Sequence, residues 1–403
     1  MFSAKEIILS QIKPALGCTE PAAIALNAAY LKEYCNEDKI DLTINTNLLK
    51  NAMYVPIPNT NRKFGVKFAF ALGFLCGNKE KGLNIFEDLT PECIKKAQEF
   101  EKNINLKIIK GNSIYIKSKT KTCEVLTKDF HDNIVYVKTP QKTVTFENKK
   151  SQNDTQTIEN WLKNQPFEKL YEMLNEDFSF LKEAVDMNMQ LAKRGMEKSC
   201  GLDINKTFDI STLEGKILAY TTAASDARME GENLPAMSVF GSGNHGIAAI
   251  LPPYIYAKEK GFDEKETLKA VALSILITVY IKIFTGRLSP ICGAAFASGC
   301  GSAAAIAYLE KGEKASKNAV LIMIETLTGI ICDGAKMGCS LKVMAGAKSA
   351  YKSAMLAING MPVFDDGILE KDLTKTIRNL EKIKDAMMDI DPTITEIMEN
   401  KLS

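Results

Sequence analysis

Two histidines, one tryptophan and no Cys-x-x-Cys pair among 403 residues leave little from which to build a zinc module. Structural zinc sites need two close ligand pairs, so His131 and His245 exclude a zinc finger. Charge of one sign is also missing, with 51 Lys and Arg against 49 Asp and Glu. A balanced chain sets up no global field to collect nucleic acid or anionic lipid, and the expected partner is a small molecule. The N-terminal MFSAKEIILSQIKPAL has no basic stretch leading into a continuous apolar run, so no secretory leader is read and a cytoplasmic location is expected. The long uncharged run from Pro290 to Leu309 is mostly Ala, Gly and Ser. Small residues suit a tightly packed central helix better than a lipid-facing span, so no membrane segment is expected.

Cysteine, by contrast, is plentiful: ten, at 18, 35, 76, 93, 123, 200, 292, 300, 332 and 339. Without a secretory signal a disulfide framework is a poor explanation, and metal binding or thiolate chemistry is favoured.

Apolar spacing predicts a helix from about Ala4, a break at LGCTEP and a second helix from Pro21 through Tyr34. DLTINTNLL reads as a strand, and the two prolines of KNAMYVPIPNT forbid a regular helix there. From Leu106 to about Phe146 short runs alternate apolar and polar residues between turns, which predicts a small antiparallel sheet. From Ile158 to Lys401 nearly every segment has helical spacing. The fold class expected is α+β, a mainly helical catalytic domain with a smaller α/β lobe that contains an antiparallel sheet. Residues 1–79 are read as the N-terminal helical part of the catalytic domain, 80–155 as the lobe and 156–403 as the helical domain.

Glycine clusters interrupt the helical half at VFGSGNHGI, TGRLSPICGAA and CDGAKMGCS. Cys292, Cys332 and Cys339 lie on two of these breaks, where thiols can converge. Three thiolates around an iron-sulfur cluster leave one iron open as a Lewis acid; three small buried hydrophobes are the other reading. Cys300, inside the Ala/Gly helix, suits packing, and Cys35, Cys76, Cys93, Cys123 and Cys200 have no partner cysteine nearby in sequence. Cys18 precedes Thr19, a natural N-cap, with Pro21 in the first turn. A thiol at a helix N-terminus has its thiolate stabilised and can act as base or nucleophile; a buried cysteine in a tight turn is the alternative. Ser242, Gly243, Asn244 and His245 form a loop of the kind that binds anions, or a plain helix connection. Asn47, Lys50, Asn51 and Thr60 make a second polar set, with Lys50 a point charge for a carboxylate or an ordinary solvated lysine.

ALGCTEP, LLKNAMYVPIP, GSGNHGI, GRLSPICGAAFASGCG and GIICDGAKMGCSLKV run in one order over nearly the whole chain. Together they resemble the L-cysteine desulfidase family, related to the alpha part of iron-sulfur L-serine dehydratases. The resemblance implies a 4Fe-4S cluster on Cys292, Cys332 and Cys339, with Cys18 as catalytic base. It implies elimination of L-cysteine to sulfide, ammonia and pyruvate without pyridoxal phosphate, by an oxygen-sensitive homodimer. The C-terminal MENKLS carries no cysteine, so a C-terminal ligand to the fourth iron is not expected. The open iron then suits a soft thiolate. L-serine dehydration, and a non-catalytic cluster-bearing sensor or sulfur-binding protein, are the competing readings.

Overall fold

The computed structural model describes residues 2–35, 37–111, 113–146 and 150–401. It is a mainly helical α+β fold. The chain opens with α1 (Ala4–Gln11), started by a capping box in which Ser3 and Glu6 satisfy each other's backbone N–H groups. Strand β1 (Ile12–Leu16) leads into α2 (Thr19–Tyr34), β2 (Ile40–Asn45), α3 (Thr46–Ala52), α4 (Val66–Cys76) and α5 (Pro91–Phe100). Strands β3 (Ile104–Ile109), β4 (Tyr115–Lys119), β5 (Glu124–Lys128), β6 (Ile134–Lys138) and β7 (Thr143–Thr145) follow. The second half holds α6 (Lys150–Lys163), α7 (Lys169–Glu172), α8 (Lys182–Glu197), α9 (Leu213–Glu230) and β8 (Pro235–Val239). It ends with α10 (Gly243–Lys260), α11 (Glu264–Thr285), α12 (Ala297–Leu327), α13 (Cys339–Ile358), α14 (Leu373–Ala386) and α15 (Ile390–Glu399).

The larger sheet has the order β3-β2-β4-β5-β6-β7. It is mixed, because β2 and β3 run parallel while the other pairs are antiparallel. A parallel pair needs a long crossover, and here α3, α4 and α5 supply it. The strand read over DLTINTNLL stops at Asn45, whose side chain accepts from the Leu48 N–H and starts α3. A second sheet of two strands joins β1 to β8 across more than 200 residues, with Ile12 opposite Val239.

Two large hydrophobic cores result among the described residues, with two small clusters around Cys292 and Cys18. One gathers α2, α4 and the inner face of the larger sheet, together with Met398 of α15. The other gathers α1 and α8 to α14. Helix α11 is long and apolar enough to cross a membrane by composition alone, but 89% of its most apolar window is buried inside the protein. Cys300 is fully buried among the alanines of α12, as its position in a small-residue run suggests.

The isolation read for two pairs of cysteines does not hold. Cys76, ending α4, and Cys93, in the first turn of α5, form a disulfide with Cα atoms 6.3 Å apart. Cys35 and Cys123 lie against each other around Thr120, whose hydroxyl is 3.1 Å from Cys35 Sγ. Packing of the end of α2 on the β4–β5 turn brings this pair together, and linear spacing carries no sign of it.

Candidate active site

The turns that enter α12 and α13 are clasped by a single antiparallel bridge between Ile291 and Ile331. Cys292 N–H donates to the Ile330 carbonyl at 2.9 Å and Cys332 N–H to the Pro290 carbonyl at 2.6 Å, which holds the two cysteine-bearing turns together. Cys339, the first residue of α13, donates to the Gly334 carbonyl at 3.4 Å and accepts from Lys336 N–H at 3.4 Å. Gly334 has φ +94°, and a Cβ there would lie 2.0 Å from the Lys50 carbonyl, so only glycine lets this loop rest on the end of α3. Asp333 anchors the loop through Lys336 and Lys342; burial opposes its ionisation, but those hydrogen bonds outweigh it and hold its carboxyl at about 2. Burial, then the neighbouring Cys332, pushes Cys292 up to about 12 and Cys339 up to about 11.

All three cysteines line a cavity of about 100 Å³, and Cys18 lines it as well. Cys18 is itself the N-cap of α2, and Thr19 is the first helical residue rather than the cap. The lowered thiol pKa expected at a helix N-terminus is not found. Burial, reinforced by the Glu20 carboxylate, pushes Cys18 well above the usual thiol range, and its Sγ–H donates to Glu20 Oε2 at 2.9 Å. The dipole of a helix end is a modest effect that burial in low dielectric exceeds. Burial also opposes ionisation of Glu20, but the His131 ring, with Nε2 3.8 Å from Oε1, and the Cys18 hydrogen bond hold that carboxyl at about 2. The Thr19 hydroxyl adds a hydrogen bond to Glu20 at 3.1 Å. His131 reaches the cavity from the β5–β6 turn of the sheet.

Cations complete the wall. Arg228, near the end of α9, donates from Nη2 to the Gly17 carbonyl at 2.8 Å. Its Nε is buried with no hydrogen-bond partner among the described residues and lies against Gly243, where a Cβ would come within 2.2 Å. Lys282, on α11, is 1% exposed. It makes no ion pair or side-chain hydrogen bond among the described residues. Burial lowers it to about 8, with Cys332 and Cys292 acting the other way. Arg287 stacks on Phe130 and Phe240, its guanidinium carbon 4.8 Å and 4.3 Å from the ring centres, and pairs with Glu159. Helix α10 begins at the same cavity through Ser242, Asn244 and His245. Burial, then Lys282, lowers His245 to about 3; Nδ1 is 3.1 Å from the Val239 carbonyl, so Nδ1 carries the proton and Nε2 faces the Cys292–Gly293 turn.

Of the residues singled out in the sequence, Cys18, Asn51, Ser242, Asn244, His245, Cys292, Cys332 and Cys339 share this one cavity. Lys50 does not line it: its ammonium is 2.5 Å from Asp391 Oδ1 on α15, with both side chains buried, so a role as the substrate's point charge is withdrawn. Gly243 sits one layer behind the wall, under Arg228. Asn47 is fully buried, neither of its side-chain polar atoms has a partner among the described residues, and its backbone carbonyl accepts from Asn51 Nδ2 at 3.1 Å. Thr60 closes its own turn on the Ile57 carbonyl at 2.7 Å. Sequence reasoning missed Glu20, His131, Arg228, Lys282 and Arg287. Lys282 left a trace, because it follows twelve uncharged residues, Ala270 to Ile281, on one helix.

A model of the serine dehydratase alpha chain family matches residues 80–395, most of the chain, and the chain belongs to that family. The match defines a lyase-type protein. At the level of individual relatives, the chain is 60% identical over 406 residues to a "UPF0597 protein" of Nautilia profundicola, covering all of both chains. It is 37% identical to a "UPF0597 protein" of Desulfatibacillum aliphaticivorans over 99% of this chain and 98% of that one. A further relative from Clostridioides difficile is 35% identical over 98% and 99% of the two chains.

Proposed function

We propose that this protein is an iron-sulfur L-cysteine desulfidase, which eliminates sulfide from L-cysteine and leaves pyruvate and ammonia. The observation that carries the reading is one cavity lined by Cys292, Cys332 and Cys339 together with the Cys18–Glu20 pair. Among the described residues no three His, Cys, Asp or Glu side chains converge tightly enough for a single metal ion. The three cysteines sit on turns whose backbone two hydrogen bonds and a bridge hold in place, and thiolates are the usual ligands of a multi-iron group. Cys292, Cys332 and Cys339 would hold a 4Fe-4S cluster. Such a cluster supplies an open Lewis acid that eases departure of a β-substituent.

The chain's own residues supply the proton chemistry. Cys18 takes the α-proton as its thiol proton passes along the existing 2.9 Å hydrogen bond to Glu20, so the sulfur stays neutral overall and the carboxylate ends protonated. His131 lies close enough to Glu20 to polarise it. His245, neutral and oriented by Val239, offers Nε2 as an acceptor for the substrate ammonium. The aminoacrylate released becomes imine and then pyruvate in solution. Catalysis without pyridoxal phosphate, a cytoplasmic location and a homodimer belong to the same proposal.

L-serine dehydration is the second reading, favoured by the family whose model matches the chain. Anaerobic protein incubated separately with L-cysteine and L-serine tests the choice. Sulfide and pyruvate from L-cysteine, with kcat/KM at least tenfold above that for L-serine, support desulfidation. Pyruvate from L-serine alone assigns dehydration.

A further inference from the structure

We infer that Arg228 and the N-terminus of α10 form the binding site for a substrate α-carboxylate, with Lys282 as a second cation on the cysteine side of the cavity. The inference rests on the amino-acid reading above and deepens it. Three buried cations and the half-buried Arg287 lie in or beside this region, and two of the four are already neutralised. Lys50 is paired with Asp391 and Arg287 with Glu159. Arg228 and Lys282, 3% and 1% exposed, have no carboxylate partner among the described residues. A buried charge left without a counter-ion is costly, so two of them facing one small cavity mark the place of an anion. The first N–H groups of α10, a helix of 18 residues, have no intrahelical acceptors and add the positive end of its dipole at Ser242 and Asn244. Absence of a Cβ at Gly243 lets the Arg228 guanidinium lie directly on that helix end.

Position also fixes which part of the ligand lies where. Arg228 Nη2 holds the Gly17 carbonyl, immediately before Cys18. A carboxylate bound at Arg228 therefore sets the carbon attached to it beside Cys18. Lys282, Cys292 and Cys332 line the same cavity, and there a β-thiol leaves. The ligand class is a small monocarboxylate carrying a β-substituent.

The test uses calorimetric titration of anaerobic holoprotein with 3-mercaptopropionate, cysteamine and pyruvate. Wild-type protein is expected to bind 3-mercaptopropionate at least tenfold tighter than cysteamine, which has the thiol without the carboxylate. Arg228→Met should weaken 3-mercaptopropionate and pyruvate by about 30-fold or more and leave cysteamine within twofold. Arg228→Lys should fall between. Equal wild-type affinity for 3-mercaptopropionate and cysteamine overturns the assignment without any variant. So does an Arg228→Met protein that binds all three as wild type does, or that loses cysteamine as severely as the acids. If pyruvate binding depends on Arg228 but no thiol binds and L-cysteine is not turned over, the carboxylate site stands and the desulfidase reading falls.

Discussion

Lys50→Met separates a structural from a substrate-binding role for the most buried lysine of the N-terminal segment. Its ammonium is 2.5 Å from Asp391 Oδ1, the two side chains are 1% and 3% exposed, and Asp391 Oδ2 has no hydrogen-bond partner among the described residues. Removing the lysine strands a buried carboxylate. Loss of one member of such a pair costs about 3–5 kcal/mol, whereas replacing both by apolar residues of similar volume is close to neutral. Lys50→Met should therefore destabilise the protein by about that amount in urea unfolding, and Lys50→Met with Asp391→Leu should recover most of it. Since Lys50 does not line the cavity, KM for L-cysteine in the folded fraction should stay within about threefold of wild type. A stable Lys50→Met protein whose KM rises a hundredfold would refute this and return Lys50 to the substrate site.

Other outcomes follow from the same geometry. Cys18→Ala should keep the visible absorbance of the anaerobic protein while turnover falls by roughly 100-fold to 10,000-fold, the usual loss of a general base; full activity would remove Cys18 from proton transfer. Cys300→Ala, deep in α12 and away from the cavity, should keep both colour and activity within a small factor, checked by absorbance and sulfide assay. Burial opposes ionisation of Glu232, but hydrogen bonds from Lys198 and Arg194 outweigh it and hold its carboxyl below the usual value. A lowered folded pKa stabilises above the unfolded value of about 4.3 and loses that contribution as pH falls through it towards the folded value. Glu232→Gln should cost about 1 kcal/mol at pH 7 and progressively less below pH 4.3, and an unchanged urea midpoint at pH 7 would count against the pair.

Much of the site was legible because its backbone is punctuated locally. The glycine breaks before α10, α12 and α13 are where the cavity wall lies, and the GCTEP turn does start a helix. What stayed hidden depends on partners far away in the chain. Strand β1 contains Pro14 and pairs with β8, more than 200 residues later, so periodicity had nothing to report. Lys50 looked like a free charge since its counter-ion is 341 residues later. Arg228 belongs to a helix of small residues with almost no amphipathic face, and its purpose appears only when α9, α10 and the Gly17 turn come together. The Cys18 thiol was misjudged for a different reason: a helix end was visible in the sequence, but its burial beside Glu20 was not.

The most direct test of the account is metal and sulfide analysis of wild type, Cys292→Ala, Cys332→Ala and Cys339→Ala after anaerobic reconstitution, with visible spectra recorded before and after air. Wild type should hold about four iron and four sulfide per chain and bleach in air, and each variant should lose most of both. Wild type that takes up zinc or no metal, or three variants that retain the full cluster, would contradict it.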